Sequence, residues 1–439
     1  MIKMKRLKMF LPLVLSLFCF YSCDKNDDSN ENQDSYSDQI ILKDLKVVGD
    51  TITLTWTKLD ALNFSGYLIV RKDSKNTDVD PSIYQNVVAQ IYDPGATSYT
   101  DKNIPLAPYL EYQVIGILSN NSTHNYIFSN SKAYQRPEIK VFGFNILDVI
   151  PDLSKNRFYI IEKNEGKISI FNYETLETVK SITTGATIGY CSLGLNAETR
   201  ELYVPRNDGW VFVYNSETLE KIDQIDIGHP SSCVINNNGK LFISTDAWTE
   251  RPLKVFDRAS KLLVSENGDF EDTRLRRIPN TNTEIIEVTL HIGPTDLDYY
   301  RFDASGNFVL HQNDKYHGDY PLSAEIFQFF PDGNNFITGS EGAIYDIRMN
   351  YINRLPHGNL SYSDYAFNAD ASLIYCSCSN AKLIVSYSNN NFVKVKEYKT
   401  VGYPFKIYRK DNALICLSNT AINSNYSAQS KFIIEKIQL

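Results

Sequence analysis

The chain has 439 residues, 43% hydrophobic and 22% charged, which suffices for two folded units and is ordinary for globular protein. Twenty-nine Tyr and 23 Phe stand against four Met, and aromatics in that excess suit the pleated, half-buried surface of strands. A formal charge of −8 with no basic block would be repelled by phosphate backbones, which excludes nucleic acid as a partner.

Residues 1–8 carry Lys3, Lys5, Arg6 and Lys8, and residues 9–20 form an apolar run too short to stay across a bilayer. Tyr21-Ser22-Cys23 follows, then the polar stretch DKNDDSNENQDS. This layout resembles a lipoprotein signal of the Bacteroidetes type. The resemblance implies that residues 1–22 are removed and that Cys23 becomes the acylated first residue of an exported, membrane-anchored chain. Asp24-Lys25-Asn26-Asp27-Asp28 resembles the acidic signal that sends such lipoproteins to the cell-surface side of the outer membrane. The alternative is an ordinary cleaved signal with an unmodified Cys23. Loss of the four leader cations takes the charge from −8 to −12. Residues 23–37 are acidic, without apolar periodicity, and read as a disordered tether. Beyond them Cys191, Cys233, Cys376, Cys378 and Cys416 are odd in number and lie inside apolar strand patterns, so they read as core residues rather than disulfides or zinc ligands.

Residues 38–136 form the first unit. Thr51-Ile-Thr-Leu-Thr-Trp56 alternates with period two, residues 67–71 make a second strand, and residues 106–117 hold Leu106-Ala-Pro108 and Tyr112. Strands at this spacing indicate a sandwich. The segment resembles a fibronectin type III domain, with Trp56 matching its core tryptophan. Leu106-x-Pro108-x-x-x-Tyr112 is similar to its tyrosine corner, which implies a ring hydroxyl bonded to backbone. The resemblance gives this unit the role of a spacer.

Residues 137–439 are repetitive. A Gly-x-Pro lead, a strand, a polar turn and a second strand recur from Gly228 (GHP) and from Gly402 (GYP), with the same logic from Gly185 to Val204. Third strands follow at 167–171, 210–214, 253–257 and 383–387. Four strands per roughly 40 residues is the period of a propeller blade. The pattern resembles the YVTN family of β-propellers, and starts near 145, 187, 229, 270, 322, 361 and 403 give seven blades, the fourth irregular. The fold class is therefore all-β: a sandwich followed by a seven-bladed β-propeller. The last blade has three strands of its own, so the orphan strand 139–142 is expected to close it and remove exposed edges.

In such a blade the connection between strands two and three shares a face with the connection into the next blade. That face would collect Asn207, Asp208, Trp210, Asp246, Trp248, Glu250 and Arg251, joined by Tyr190, His229, Tyr316, His317, His357, Tyr362 and Tyr403. Exposed Trp among carboxylates and an Arg makes a sugar-stacking platform, and loops are where binding residues concentrate. The alternatives are that both Trp cap blade edges and that the histidines are solvated rather than metal ligands. No Gly-x-Ser-x-Gly, His-Glu-x-x-His, phosphate-binding loop or EF-hand loop occurs, so no catalytic residue, metal or cofactor is assigned. Three readings remain: a binding lipoprotein for carbohydrate or peptide beside an outer-membrane complex, a propeller lyase or hydrolase acting on polysaccharide, and a scaffold of an envelope assembly.

Overall fold

The computed structural model describes residues 39–49, 51–72, 87–120, 123–136, 139–141, 146–422 and 431–439. Cys23 and the tether lie outside them. The described residues are almost wholly strands, turns and bends; one 3₁₀ turn, Leu153–Lys155, interrupts them. None of their helices is long and apolar enough to cross a membrane.

Two sheets make the amino-terminal unit. Leu42–Val48, Thr51–Trp56 and Ser98–Asp101 pair in that order. The other sheet runs Val87–Ile91, Phe64–Lys72, Tyr109–Asn120, Thr123–Phe128, with Lys132–Gln135 also paired to Tyr109–Asn120. Alternation in Thr51–Trp56 does what period two requires: Ile52, Leu54 and Trp56 are buried and the threonines between them are not. Trp56 meets Tyr67 edge-on at 5.5 Å. The Tyr112 hydroxyl departs from the expectation of a backbone partner. It donates to Asp101 Oδ2 at 2.9 Å, and that carboxylate also takes Arg71 at 2.7 Å. Asp101 is itself buried, so a charged acceptor has replaced the carbonyl.

Seven four-stranded antiparallel sheets follow, each a propeller-like blade: 146–183, 192–226, 231–267, 273–313, 327–354, 362–399, and a seventh built from 403–438. The fourth is as regular as the rest, despite its irregular sequence. The seventh has three strands of its own, and Ile139–Val141 pairs with Lys431–Gln438 as its fourth.

Apolar clusters join each sheet to the next. Ile161 and Ile170 share a core with Leu202 and Val204, Val211 with Val234, Val255 with Tyr300, and Val288 with Phe336. Ile344 packs with Tyr365, Ile384 with Leu414, and finally Ile415 and Phe432 with Phe158 and Phe171 of the first sheet. The seventh sheet thus packs on the first. Each such side chain contributes about 1.5–3 kcal/mol on burial, so the seams carry the stability of this region.

Turn chemistry repeats as well. The third strand ends on Asn172, Asn215, Asp257 or Asp346, or just before Asp303, and the side-chain oxygen of that residue accepts backbone N–H groups two to four residues on. In three of these turns, and in the turn that Ser388 starts in the sixth sheet, the fifth residue adopts a left-handed conformation, at Leu176, Leu219, Lys261 and Phe392. Where it is apolar it folds into the adjacent core. The sixth sheet starts its turn with Ser388 instead. Between the fifth and sixth sheets, beside that turn, lies a groove of about 520 Å³ lined by Phe330, Ile352, Asp370, Asn389 and Phe392.

Candidate functional site at the upper face and axis

The connections between second and third strands hydrogen-bond to the segments that lead into their own sheet and into the next. Asn207 N–H donates to Thr187 O at 3.0 Å, Asp246 N–H to Pro230 O at 2.7 Å, and Asp272 N–H to Thr245 O at 2.7 Å. Both sets of connections therefore share one face, the upper one. Close approach is built in at Gly189, where a Cβ would stand 2.1 Å from Ser232 O. Next to it Tyr190 N–H donates to that oxygen at 2.7 Å, tying the second sheet to the third.

Trp248 is 83% exposed, in a bent segment where Asp246, Glu250 and Arg251 are also exposed. Trp210 opens the strand Trp210–Asn215 and is half-buried, opposite Asp226. Asp208 is exposed. Its hydrogen bond from Arg206, Nε to Oδ1 at 2.9 Å, holds its carboxyl below the usual range even against partial burial. His229 and Tyr403 are half-buried, Tyr403 with the Lys382 ammonium 5.5 Å from its ring centre.

Two expected face residues are internal. Tyr362 is fully buried and its hydroxyl lies 2.7 Å from that of Tyr387. Tyr190 is 4% exposed with the Arg274 guanidinium 3.9 Å over its ring. Each lies at or just before the innermost strand of its sheet, so its ring turns into the packed interior rather than to the loops. Neither can stack on a ligand at the surface.

His317 and His357 take separate partners. His317 sits 3.6 Å from Asp296, and His357 Nδ1 lies 3.1 Å from Leu360 O. Among the described residues no group of three or more His, Cys, Asp or Glu is arranged to hold a metal. Tyr316 accepts the Tyr351 N–H at 3.1 Å, a structural bond.

A cleft on the upper face is lined by Lys163, Asn207, Tyr190, Ser232, Asp246 and Asp272, and its volume is about 20 Å³. Ligand pockets run to hundreds of Å³, whereas this one holds about one water. Partial desolvation beside the cleft, then the neighbouring Asp272 carboxylate, raises the Asp246 carboxyl above the usual range.

The innermost strands also bring charge into the interior. Asp148 comes from the first sheet, Arg274 and Arg276 from the fourth, Asp364 from the sixth and Lys406 from the seventh. Arg274 donates to Asp148. Burial works to raise the Asp148 carboxyl, but the Arg274 guanidinium, with Lys406 and Arg276 nearby, outweighs it and holds the group low. At Asp364 burial wins over Lys406 and the carboxyl is raised. Burial, then repulsion by Arg274, draws Arg276 down to about 10.

Inside the fourth sheet a different polar set crosses all four strands. The Thr273 hydroxyl donates to Glu287 Oε1 at 2.7 Å, the Tyr300 hydroxyl to Asp298 Oδ2 at 3.4 Å, and His311 Nε2 lies 3.3 Å from the same Asp298 oxygen. His311 stacks on Tyr300 at 4.4 Å, nearly parallel. Burial pushes the Glu287 carboxyl up to about 8, with the Asp298 charge adding to the rise.

The sequence reading missed both buried sets. One signal was available: Asp148, Arg274, Asp364 and Lys406 interrupt otherwise apolar first strands near their starts, in ILDVIPD, TRLRR, YSDYAF and YPFKIYRK.

No family model matches the chain, and no curated protein matches it. Solved structures do match, among them the hydrazine synthase of Kuenenia stuttgartiensis. It has a TM-score of 0.49 and 11% identity, over 68% of this chain and 97% of that one.

Proposed function

We propose that the protein is an exported lipoprotein, anchored through Cys23, whose ring of sheets is a seven-bladed β-propeller of YVTN type that binds carbohydrate on its upper face. In this reading residues 38–136 are a fibronectin type III-like spacer, and the three- and five-stranded pairing around Trp56 supports that fold. The seven meander sheets, packed seventh against first, support the propeller.

The observation that carries the binding role is Trp248, 83% exposed among Asp246, Glu250 and Arg251. An indole costs free energy when left in water, and its neighbours supply donors and acceptors for hydroxyls. The small cleft decides between engulfing a ligand and stacking on it: a sugar ring cannot enter about 20 Å³, so it lies on the loop. Covering roughly 100 Å² of apolar sugar face gives about 2.5 kcal/mol, a weak contact that a repeating polymer multiplies.

The test is a glycan array with Trp248→Ala and Trp210→Ala. Trp248→Ala should lose binding with its melting temperature unchanged, and Trp210→Ala should weaken it less, because that ring is half-buried. Undiminished binding by Trp248→Ala overturns the proposal. The anchor is tested separately by mass spectrometry of the amino-terminal peptide, where an unmodified Cys23 thiol overturns it.

A further inference from the structure

Arg276 and Lys406 reach the same short backbone segment from different sheets. Arg276 Nη2 donates to Ala324 O at 2.9 Å, and Lys406 Nζ to Glu325 O at 3.4 Å. Their acceptors are successive carbonyls, so the two cationic heads flank one peptide unit. Among the described residues no carboxylate lies within hydrogen-bond distance of either. The nearest approach is Asp364 Oδ1, 3.9 Å from Lys406, and Asp364 is already engaged by the Ile407 N–H at 3.0 Å. Asp148 is taken by Arg274. Glu325 is exposed, and its carboxylate forms no ion pair with either cation. Arg276 Nε is buried and has no hydrogen-bond partner.

Three cations thus face two buried carboxylates. A surplus positive charge in the interior is costly unless something negative is brought to it, and an Arg cannot escape by deprotonation at ordinary pH. The planar fork of Arg276, with one N–H unused, and the point charge of Lys406 together suit an oxyanion of carboxylate size.

We propose that the interior of the ring holds a small anion, a carboxylate in preference to a halide, between Arg276 and Lys406. It is distinct from the Trp248 platform: two charged donors select for negative charge, whereas the platform selects for an apolar sugar face. The anion neutralises the surplus and ties the fourth and seventh sheets to the segment before the fifth.

The experiment is a melting-temperature titration of the whole protein with sodium acetate and with sodium chloride at equal ionic strength. It is paired with anomalous diffraction from crystals grown with bromoacetate, a carboxylate that carries an anomalous scatterer. A saturable rise, larger for acetate, is expected, with an anomalous peak between Arg276 and Lys406. Lys406→Gln should weaken the response about tenfold or more, as loss of one charge-assisted hydrogen bond implies. Arg276→Lys keeps the charge and should retain a saturable response, which guards against a Gln variant that fails to fold. Equal acetate and chloride responses shared by wild type and Lys406→Gln would show general screening only and overturn the proposal. A site without an anomalous peak, occupied by water alone, overturns it too.

Discussion

The interior charges of the ring and the polar set of the fourth sheet bury ionisable groups by opposite means. Among the innermost strands Asp148 keeps its charge because Arg274 reaches it from another sheet. Inside the fourth sheet Glu287 has a neutral Thr273 hydroxyl and a nearby carboxylate, so it takes up a proton instead. The lesson is that burial sets the cost, and the nearest partner decides whether it is met by a counterion or by neutralisation.

The largest effect should follow from breaking the counterion solution. Arg274→Met leaves Asp148 buried and unpaired, which should cost about 3–5 kcal/mol in urea denaturation at neutral pH. A loss below about 1 kcal/mol would mean that water reaches Asp148 and that the contrast is false.

Glu287→Gln tests the neutralised solution through pH. With its folded value raised to about 8 from an ordinary 4.5, Glu287 binds more protons folded than unfolded between those limits. Its stabilising protonation is complete below about pH 4.5 and is lost as pH rises through about 8. Wild-type stability should therefore fall across that window by at most about 1.4 kcal/mol per pH unit relative to Glu287→Gln. Parallel pH profiles for the two proteins would show that Glu287 ionises freely.

Tyr362→Phe removes a hydroxyl from a buried pair that carries no charge, and should cost about 1 kcal/mol. The cost should be flat from pH 5 to 8; a slope would show that the Tyr387 hydroxyl is coupled to a titrating neighbour. The smallest stability effect belongs to Trp248→Ala, within about 0.5 kcal/mol because the ring is exposed. A larger loss would identify the indole as packing rather than platform.

What the sequence revealed follows the distance over which a residue's role is decided. Alternation in Thr51–Trp56 and the repeated strand pattern after residue 137 are local, and the strands lie where those patterns put them. The upper-face loops could be read because their position depends only on strand order. Tyr190 and Tyr362 were misplaced because burial there depends on which neighbouring sheet meets them. For Tyr190 that is the fourth sheet, through Arg274; for Tyr362 it is the fifth, whose Ile337 and Ile344 share its core. The Asp148–Arg274 pair was illegible for the same reason: its members are 126 residues apart, and only the curvature of the ring brings them together.

Ile139–Val141 meets Lys431–Gln438 through three residue pairs, Ile139 opposite Ile433 being the first reached from the amino-terminal side. A pull applied upstream of residue 139 would load that pair before the other two, peeling the join stepwise rather than shearing it. Resistance to opening is then set by this short clasp and not by the average strength of the seams. Force spectroscopy should record its release as a small event ahead of the main rupture.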